Sequence, residues 1–352
     1  MATTEGNYYV PEQSKLPLLA SIGMFVTVFG ASSWMSGIVS SPLVFFVSLF
    51  IFVAVLLQPP RKVTIAAGVV LFLLVSAGSD ALSSVLVGPL VFGVGGLMFA
   101  ATIWSWFSIV ISENIAGLNS PQLKRSYVWG MGWFIFSEVM FFAAFFGALF
   151  YVRTLALPWL AGEGDGVHNP LLWPGFEAHW PLMETPDMAA SGDAAEVRGP
   201  DQAMSLSQAG SLFTWLPFWN TLILLSSSVT VHFAHSALLK GERKPFNVWL
   251  GATIVLAVVF LFLQAYEYYE AYALMGLTLQ SGIYGSTFFM LTGFHGAHVL
   301  LGTIMLLVMW LRSVLKGHFK KDDHFGFEAT SWYWHFVDVV WVILFLAVYI
   351  FG

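Results

Sequence analysis

Glu138 stands in the run Phe136-Ser137-Glu138-Val139-Met140-Phe141-Phe142, where every neighbour except Ser137 is apolar. A carboxyl at bilayer depth is either a proton-exchanging or lipid-facing group, or a protonated acid hydrogen-bonded within a helix bundle. Both readings stay open. His295 and His298 lie three apart, and His232 and His235 repeat that spacing. Each pair therefore occupies neighbouring positions on a helix face. Four imidazoles on two helices suit haem or metal ligation in principle. No cysteine and no His-Glu-x-x-His element joins them, and hydrogen bonding across a bundle is the preferred reading. The expected set of metal ligands is therefore empty. Gly293, Gly296 and Gly302 on the same segment favour close helix packing. Glu267 and Glu270 fall toward one end of an apolar run and read as interfacial groups able to bond an Arg or Tyr of a neighbour. His335 and Asp338, again three apart, read as a structural pair, with proton handling as the second option. Arg312, Lys316 and His318, with Lys240, Arg243 and Lys244, form a basic rim. It suits lipid phosphate or reflects the ordinary excess of cations on one membrane face.

The elements that position these groups must be membrane helices. Of 352 residues, 58% are hydrophobic and 10% charged, and mean hydropathy is +0.77, which excludes an ordinary water-soluble domain. With no cysteine, disulfides, thiolate metal sites, iron–sulfur clusters and covalent haem attachment are excluded together. A net charge of −6 gives no argument for nucleic-acid binding. Nine stretches are long and apolar enough to span: 16–38, 42–57, 63–79, 86–111, 127–152, 212–239, 247–272, 283–311 and 331–351. The second and third are short and flank Gln58-Pro59-Pro60-Arg61-Lys62, so the stretch 42–79 reads as an extra hairpin that spans or re-enters. With the N-terminus in the cytoplasm, all Lys and Arg except Arg153 and Arg198 fall on the inner side. The C-terminus and the acidic, Gly- and Pro-rich loop 153–210 then lie outside, with Leu172-Trp173-Pro174-Gly175-Phe176 predicting partial order in that loop. No internal repeat points to a transporter of inverted halves.

Several runs carry a resemblance to a known family. Gly326-Phe327-Glu328 followed by Ser331-Trp332-Tyr333-Trp334-His335-Phe336-Val337-Asp338-Val339-Val340-Trp341 resembles the ending of cytochrome c oxidase subunit III. Ile283-Tyr284-Gly285-Ser286-Thr287-Phe288-Phe289, then Thr292-Gly293-Phe294-His295-Gly296 and His298-Val299, resembles the sixth helix of that family. Ser137-Glu138-Val139, Asn220-Thr221, Ser226-Ser227, Ala234-His235 and Leu263-Gln264-Ala265 with Glu267-Tyr268-Tyr269-Glu270 continue the likeness in order along the chain.

The resemblance implies an all-α polytopic membrane protein with a seven-helix core in two bundles around a V-shaped lipid cleft. The hairpin 42–79 would be an addition, giving about nine spans, and the bundles are expected over 1–112 and 113–352. It implies a subunit without redox cofactor that binds phospholipid, packs on a catalytic haem- and copper-bearing subunit I beside a copper-bearing subunit II, and supports proton or oxygen supply. Cytochrome c would be the electron donor to the complex. By the same resemblance Trp106, Glu113, Glu138 and Arg312 are cleft or lipid positions; His235, Glu267, His295, His298, His335 and Asp338 are read from their place in the spans as buried polar groups of structural or proton-related role. Ser236 stands where the family commonly has a second histidine, and Phe107 to Ile111 replaces a stretch that commonly carries Arg and Asp. The competing readings are the corresponding subunit of a quinol oxidase and an independent channel or transporter. The extended outer loop favours a bacterial plasma membrane.

Overall fold

The computed structural model describes residues 14–36, 84–164, 169–321 and 323–352. The hairpin expected over 42–79 lies outside these residues. Among them seven helices are long and apolar enough to cross a membrane. They are α1 (Leu16–Ser36), α2 (Ser84–Ile115), α3 (Pro121–Tyr151), α4 (Leu216–Leu239), α5 (Arg243–Leu274), α6 (Gly282–Lys316) and α7 (Phe325–Leu344). α3 runs on through a wider π turn, Val152–Ala156, into Leu157–Leu160, and α7 through a similar turn, Phe345–Ile350. Helices answer the central demand of the bilayer, because every backbone N–H and C=O pairs within its own segment. Hydroxyls inside the spans follow the same rule: those of Thr27, Thr102, Thr221 and Thr303 return to the carbonyl four residues earlier.

The chain forms two compact units, Met1–Ser126 and Tyr127–Gly352. In the first, α1 and α2 pack along their length as an antiparallel pair. A Cβ on Gly23 would strike the backbone of Phe99, one on Gly30 that of Phe92, and one on Gly95 that of Thr27. These glycines let two main chains approach, which matters in lipid because van der Waals packing must replace the hydrophobic effect between helices.

In the second unit α4 packs against α5 and α7, and α6 against the same two. α7 is its most enclosed element, with Tyr333, Trp334, Val337, Trp341 and Leu344 inaccessible to solvent. α3 buries only Phe142 and Leu149 and joins the unit through long side chains: Phe134 stacks on Tyr333 at 6.0 Å and Phe142 lies 6.2 Å from Phe336. α6 meets α7 at Gly302, where a Cβ would come within 2.8 Å of the Trp334 ring and 3.3 Å of Tyr333. Neither ring can turn aside in a filled core. Gly302→Ala is expected to cost about 1–2 kcal/mol and to lower the temperature at which the detergent-solubilised subunit unfolds; an unchanged melting curve would show that this contact has room to relax.

The loop between α3 and α4 is partly built into the unit. Phe176, Leu182, Ala203 and Met204 are buried. The amides of Asp201 and Gln202 donate to the Met275 carbonyl at 2.9 and 3.2 Å, and the Met204 amide donates to the Tyr284 hydroxyl at 3.1 Å. Within the loop, Asp187 organises a turn. Its Oδ2 accepts the amides of Glu196 and Val197 at 2.7 and 3.0 Å, and its Oδ1 accepts the Ser191 hydroxyl at 3.1 Å. The Val197 amide foremost, with the Glu196 amide and the Ser191 hydroxyl, holds the Asp187 carboxyl below its ordinary value against an opposing desolvation. A depressed carboxyl contributes order that is present above the ordinary Asp pKa of about 3.9 and is lost as pH falls through the lower folded value. Hydrogen exchange at the Glu196 and Val197 amides is therefore expected to stay slow at neutral and mildly acidic pH and to accelerate several-fold in Asp187→Ala. Equal rates in the variant would remove this turn from the account.

Candidate functional site

The centre of the second unit's polar chemistry is the pair formed by Glu138 on α3 and His298 on α6. His298 Nε2 lies 2.9 Å from Glu138 Oε2, and its Nδ1 lies 2.6 Å from the Phe294 carbonyl one turn earlier. A carbonyl only accepts, so Nδ1 carries a hydrogen. The contact between Nε2 and the carboxyl then holds one proton, either on the imidazole as an ion pair or on the acid as a neutral pair. Both side chains are mostly covered, at 14% and 23% exposure. The cover is aromatic: Phe142 meets the imidazole edge-on at 5.0 Å, Phe141 lies at 5.9 Å and Tyr333 stacks at 6.4 Å.

His295, though only three residues earlier, turns elsewhere. It is buried, its Nε2 donates to the Val337 carbonyl on α7 at 3.2 Å, and its ring lies 5.0 Å from Trp341 and 6.0 Å from Phe260. The four histidines thus do not converge. His235 is half-buried beside His324 and Phe327, each 5.8 Å away, and His232 is exposed. Among the described residues no three His, Cys, Asp or Glu side chains meet as a metal site.

Glu267 corrects the interfacial expectation. It is fully buried, and Tyr349 beyond the end of α7 donates its hydroxyl to Glu267 Oε1 at 2.5 Å. Gln264 on the same helix and Asn220 on α4 lie in contact at 3.5 Å. A tyrosine partner was within the sequence reading, but its identity was not, because Tyr349 sits 82 residues away. Glu270 is half-buried at the same end of α5. His335 and Asp338 share a face at 3.7 Å, too long for a hydrogen bond. The imidazole Nδ1 instead meets the Ser228 hydroxyl on α4 at 2.9 Å, a partner the sequence did not suggest.

At the opposite ends of these helices the basic rim is partly structural. Arg243 at the start of α5 donates to the carbonyls of Ser313, His318 and Phe319 at 3.4, 3.2 and 3.0 Å. It thereby closes the end of α6, where Gly317 takes a left-handed conformation and the His318 amide returns to the Arg312 carbonyl. Arg312 lies over the Phe319 ring at 4.6 Å and its Nε donates to His318 Nδ1 at 3.4 Å. Burial, followed by the charges of Arg312, Lys316 and Arg243, pushes the His318 pKa down, so its ring stays neutral and able to accept that hydrogen. Trp106 and Glu113 both lie on α2 in the first unit, Trp106 exposed and Glu113 half-buried.

These polar groups all sit in stretches that a family model covers: the model described as cytochrome c oxidase subunit III matches residues 60–160 and 212–352. The chain belongs to the cytochrome c oxidase subunit III family. A cytochrome c oxidase subunit 3 of Dugong dugon is 40% identical over 252 residues, which is 71% of this chain and 80% of that protein. Those of Bos taurus, 39% identical over 252 residues (71% and 80%), and Danio rerio, 40% identical over 247 residues (70% and 78%), are similar in the same way. Membership in the subunit III family makes this chain a multi-pass component of an oxidase complex. It also separates the shared part from the rest, because residues 161–211 fall between the two matched segments.

Proposed function

We propose that the chain serves its oxidase as a subunit without a redox centre. It braces a catalytic haem–copper subunit I beside a copper-bearing subunit II, binds phospholipid along its exposed helix faces, and supports the proton or oxygen supply of a proton-pumping complex that takes electrons from cytochrome c. The observation that carries this reading is the Glu138–His298 pair, an acid and a base sharing one proton between two membrane helices inside the family-matched residues. Such a pair can hold a proton at bilayer depth without a cofactor. Trp106 and Glu113 on α2 and Glu138 and Arg312 in the second unit are assigned to the lipid-contacting surface. His235, Glu267, His295, His335 and Asp338 are assigned to holding the bundle together through hydrogen bonds. The distribution of Lys and Arg supports an N-terminus on the cytoplasmic side, with the loop 153–210 and the C-terminus outside, and the extended outer loop supports a bacterial plasma membrane.

The test is a visible spectrum of the gently solubilised complex and of this chain separated from it. Haem bands are expected in the complex and none in the separated chain. The complex that retains the chain should oxidise reduced cytochrome c and should inactivate more slowly during turnover than the depleted one. Oxidation of quinol in place of cytochrome c would move the assignment to a quinol oxidase, and ion flux through the chain alone in liposomes would overturn the accessory role.

A further inference from the structure

Asn220 on α4, Gln264 and Glu267 on α5, and Tyr349 in the turn that continues α7 form a polar group closed to solvent: Asn220, Glu267 and Tyr349 are inaccessible, and Gln264 is 5% exposed. Glu267 lies within the span, about two turns before α5 ends at Leu274. Two contacts hold the group together. The Tyr349 hydroxyl donates to Glu267 Oε1, and the Asn220 amide donates to Gln264 Oε1 at 3.5 Å, beyond the usual range of an N–H···O bond. The Gln264 side chain also neighbours both Glu267 and Tyr349. Three buried atoms of the group have no hydrogen-bond partner among the described residues: Asn220 Oδ1, Gln264 Nε2 and Glu267 Oε2.

Buried polar atoms are costly without partners, and these three differ in kind. The amide oxygen accepts, the amide nitrogen donates, and the carboxyl oxygen accepts as a carboxylate or donates as an acid. Turning both amides over leaves the balance unchanged. Gln264 Nε2 then meets Asn220 Oδ1, and Gln264 Oε1 and Asn220 Nδ2 become the acceptor and donor that need partners. A metal cation accepts no N–H, and a simple anion gives no hydrogen to an amide oxygen, so neither completes the group in either arrangement. The smallest molecule that both donates and accepts is water, and buried waters commonly make about three hydrogen bonds to groups of this kind. We propose that Asn220, Gln264 and Glu267 enclose a water molecule that is part of the fold. It accepts from the amide N–H, donates to the amide oxygen and bonds Glu267 Oε2. It thereby joins α4 to α5 and, through the bond from Tyr349 to Glu267, to the turn that continues α7.

Two measurements on the assembled oxidase decide the matter. The first is cryo-electron microscopy of the unaltered complex at a resolution that shows ordered water. A density peak is expected at about 2.7–3.2 Å from one amide nitrogen and one amide oxygen of the Asn220 and Gln264 pair and from Glu267 Oε2. Direct bonding of Gln264 to Glu267 with no peak between them overturns the proposal. So does a peak at about 2.3–2.6 Å from oxygens alone, the spacing of a calcium-like cation. The second measurement uses Gln264→Met, which keeps the reach of the side chain and offers no amide. Its complex is expected to lose the peak, and the unfolding midpoint of the subunit is expected to fall by a few degrees. A peak retained in full would take Gln264 out of the site and overturn the proposal. If the variant does not assemble, the density of the unaltered complex decides by itself.

Discussion

Replacement of Trp341 by alanine is expected to cost about 3–5 kcal/mol and to leave the oxidase without a stably bound copy of this subunit. Trp341 is inaccessible, with Phe260 edge-on at 4.9 Å, His295 at 5.0 Å and Tyr349 at 5.8 Å around its indole. Its Nε1–H donates to the Thr221 hydroxyl on α4 at 2.9 Å, just as Trp334, two turns earlier, donates to Ser227 at 3.0 Å. Truncation therefore opens a cavity among three aromatic neighbours and removes a hydrogen bond that, with Trp334–Ser227 and His335–Ser228, fastens α7 to α4. In lipid the cavity weighs heavily, because close packing is the main force between helices there. Trp341→Phe keeps much of the volume and should be milder, losing the hydrogen bond, worth about 0.6 kcal/mol on average between membrane helices, and leaving a smaller cavity. The measurement is subunit stoichiometry by mass spectrometry after detergent extraction, together with thermal unfolding. An alanine variant retained at full stoichiometry with an unchanged transition would mean that α7 is not the element on which the unit depends.

The sequence made the spans legible because apolar length is a property of composition alone. It set their ends less well: α3 begins at Pro121 and not near 127, since Lys124 and Arg125 are helical although too polar to count as membrane-embedded. Hydropathy marks the lipid-embedded part of a helix, whereas its ends follow from capping and continued backbone hydrogen bonding. Of the site residues, types and helix positions were legible and partners were not. His295 and His298 share a face by spacing, yet residues three apart point about 60° from each other on a helix of 3.6 residues per turn. That angle sends one ring to α7 and the other to α3. Glu267 shows the same limit. Its place near the end of an apolar run gave no sign that Tyr349, in the π turn that continues α7, would reach across and cover it. The family motif supplied what spacing could not, namely that Glu138 and His298 lie in shared parts of the chain, while their contact became visible only in the folded unit.

That contact carries the second large effect. His298→Ala is expected to destabilise the subunit by about 2–3 kcal/mol, below the 3–5 kcal/mol typical of breaking a fully buried pair because both groups keep some exposure. The loss arises less from the missing imidazole than from Glu138, whose Oε2 would then stand among Phe141, Phe142 and the α6 surface with no donor. Removing the second group relieves that penalty, so the double variant Glu138→Ala with His298→Ala is expected to be no less stable than His298→Ala alone. Glu138→Gln, which keeps an N–H to offer to Nε2, should be milder than Glu138→Ala. A double-mutant cycle on thermal unfolding measures the coupling directly. If the two single losses simply add, the 2.9 Å contact contributes no coupling energy and does not tie α3 to α6. If they do not add, the pair ties α3 to α6 through a shared proton, and steady-state turnover of the same four complexes shows whether moving that proton affects oxygen reduction or only the holding of the bundle.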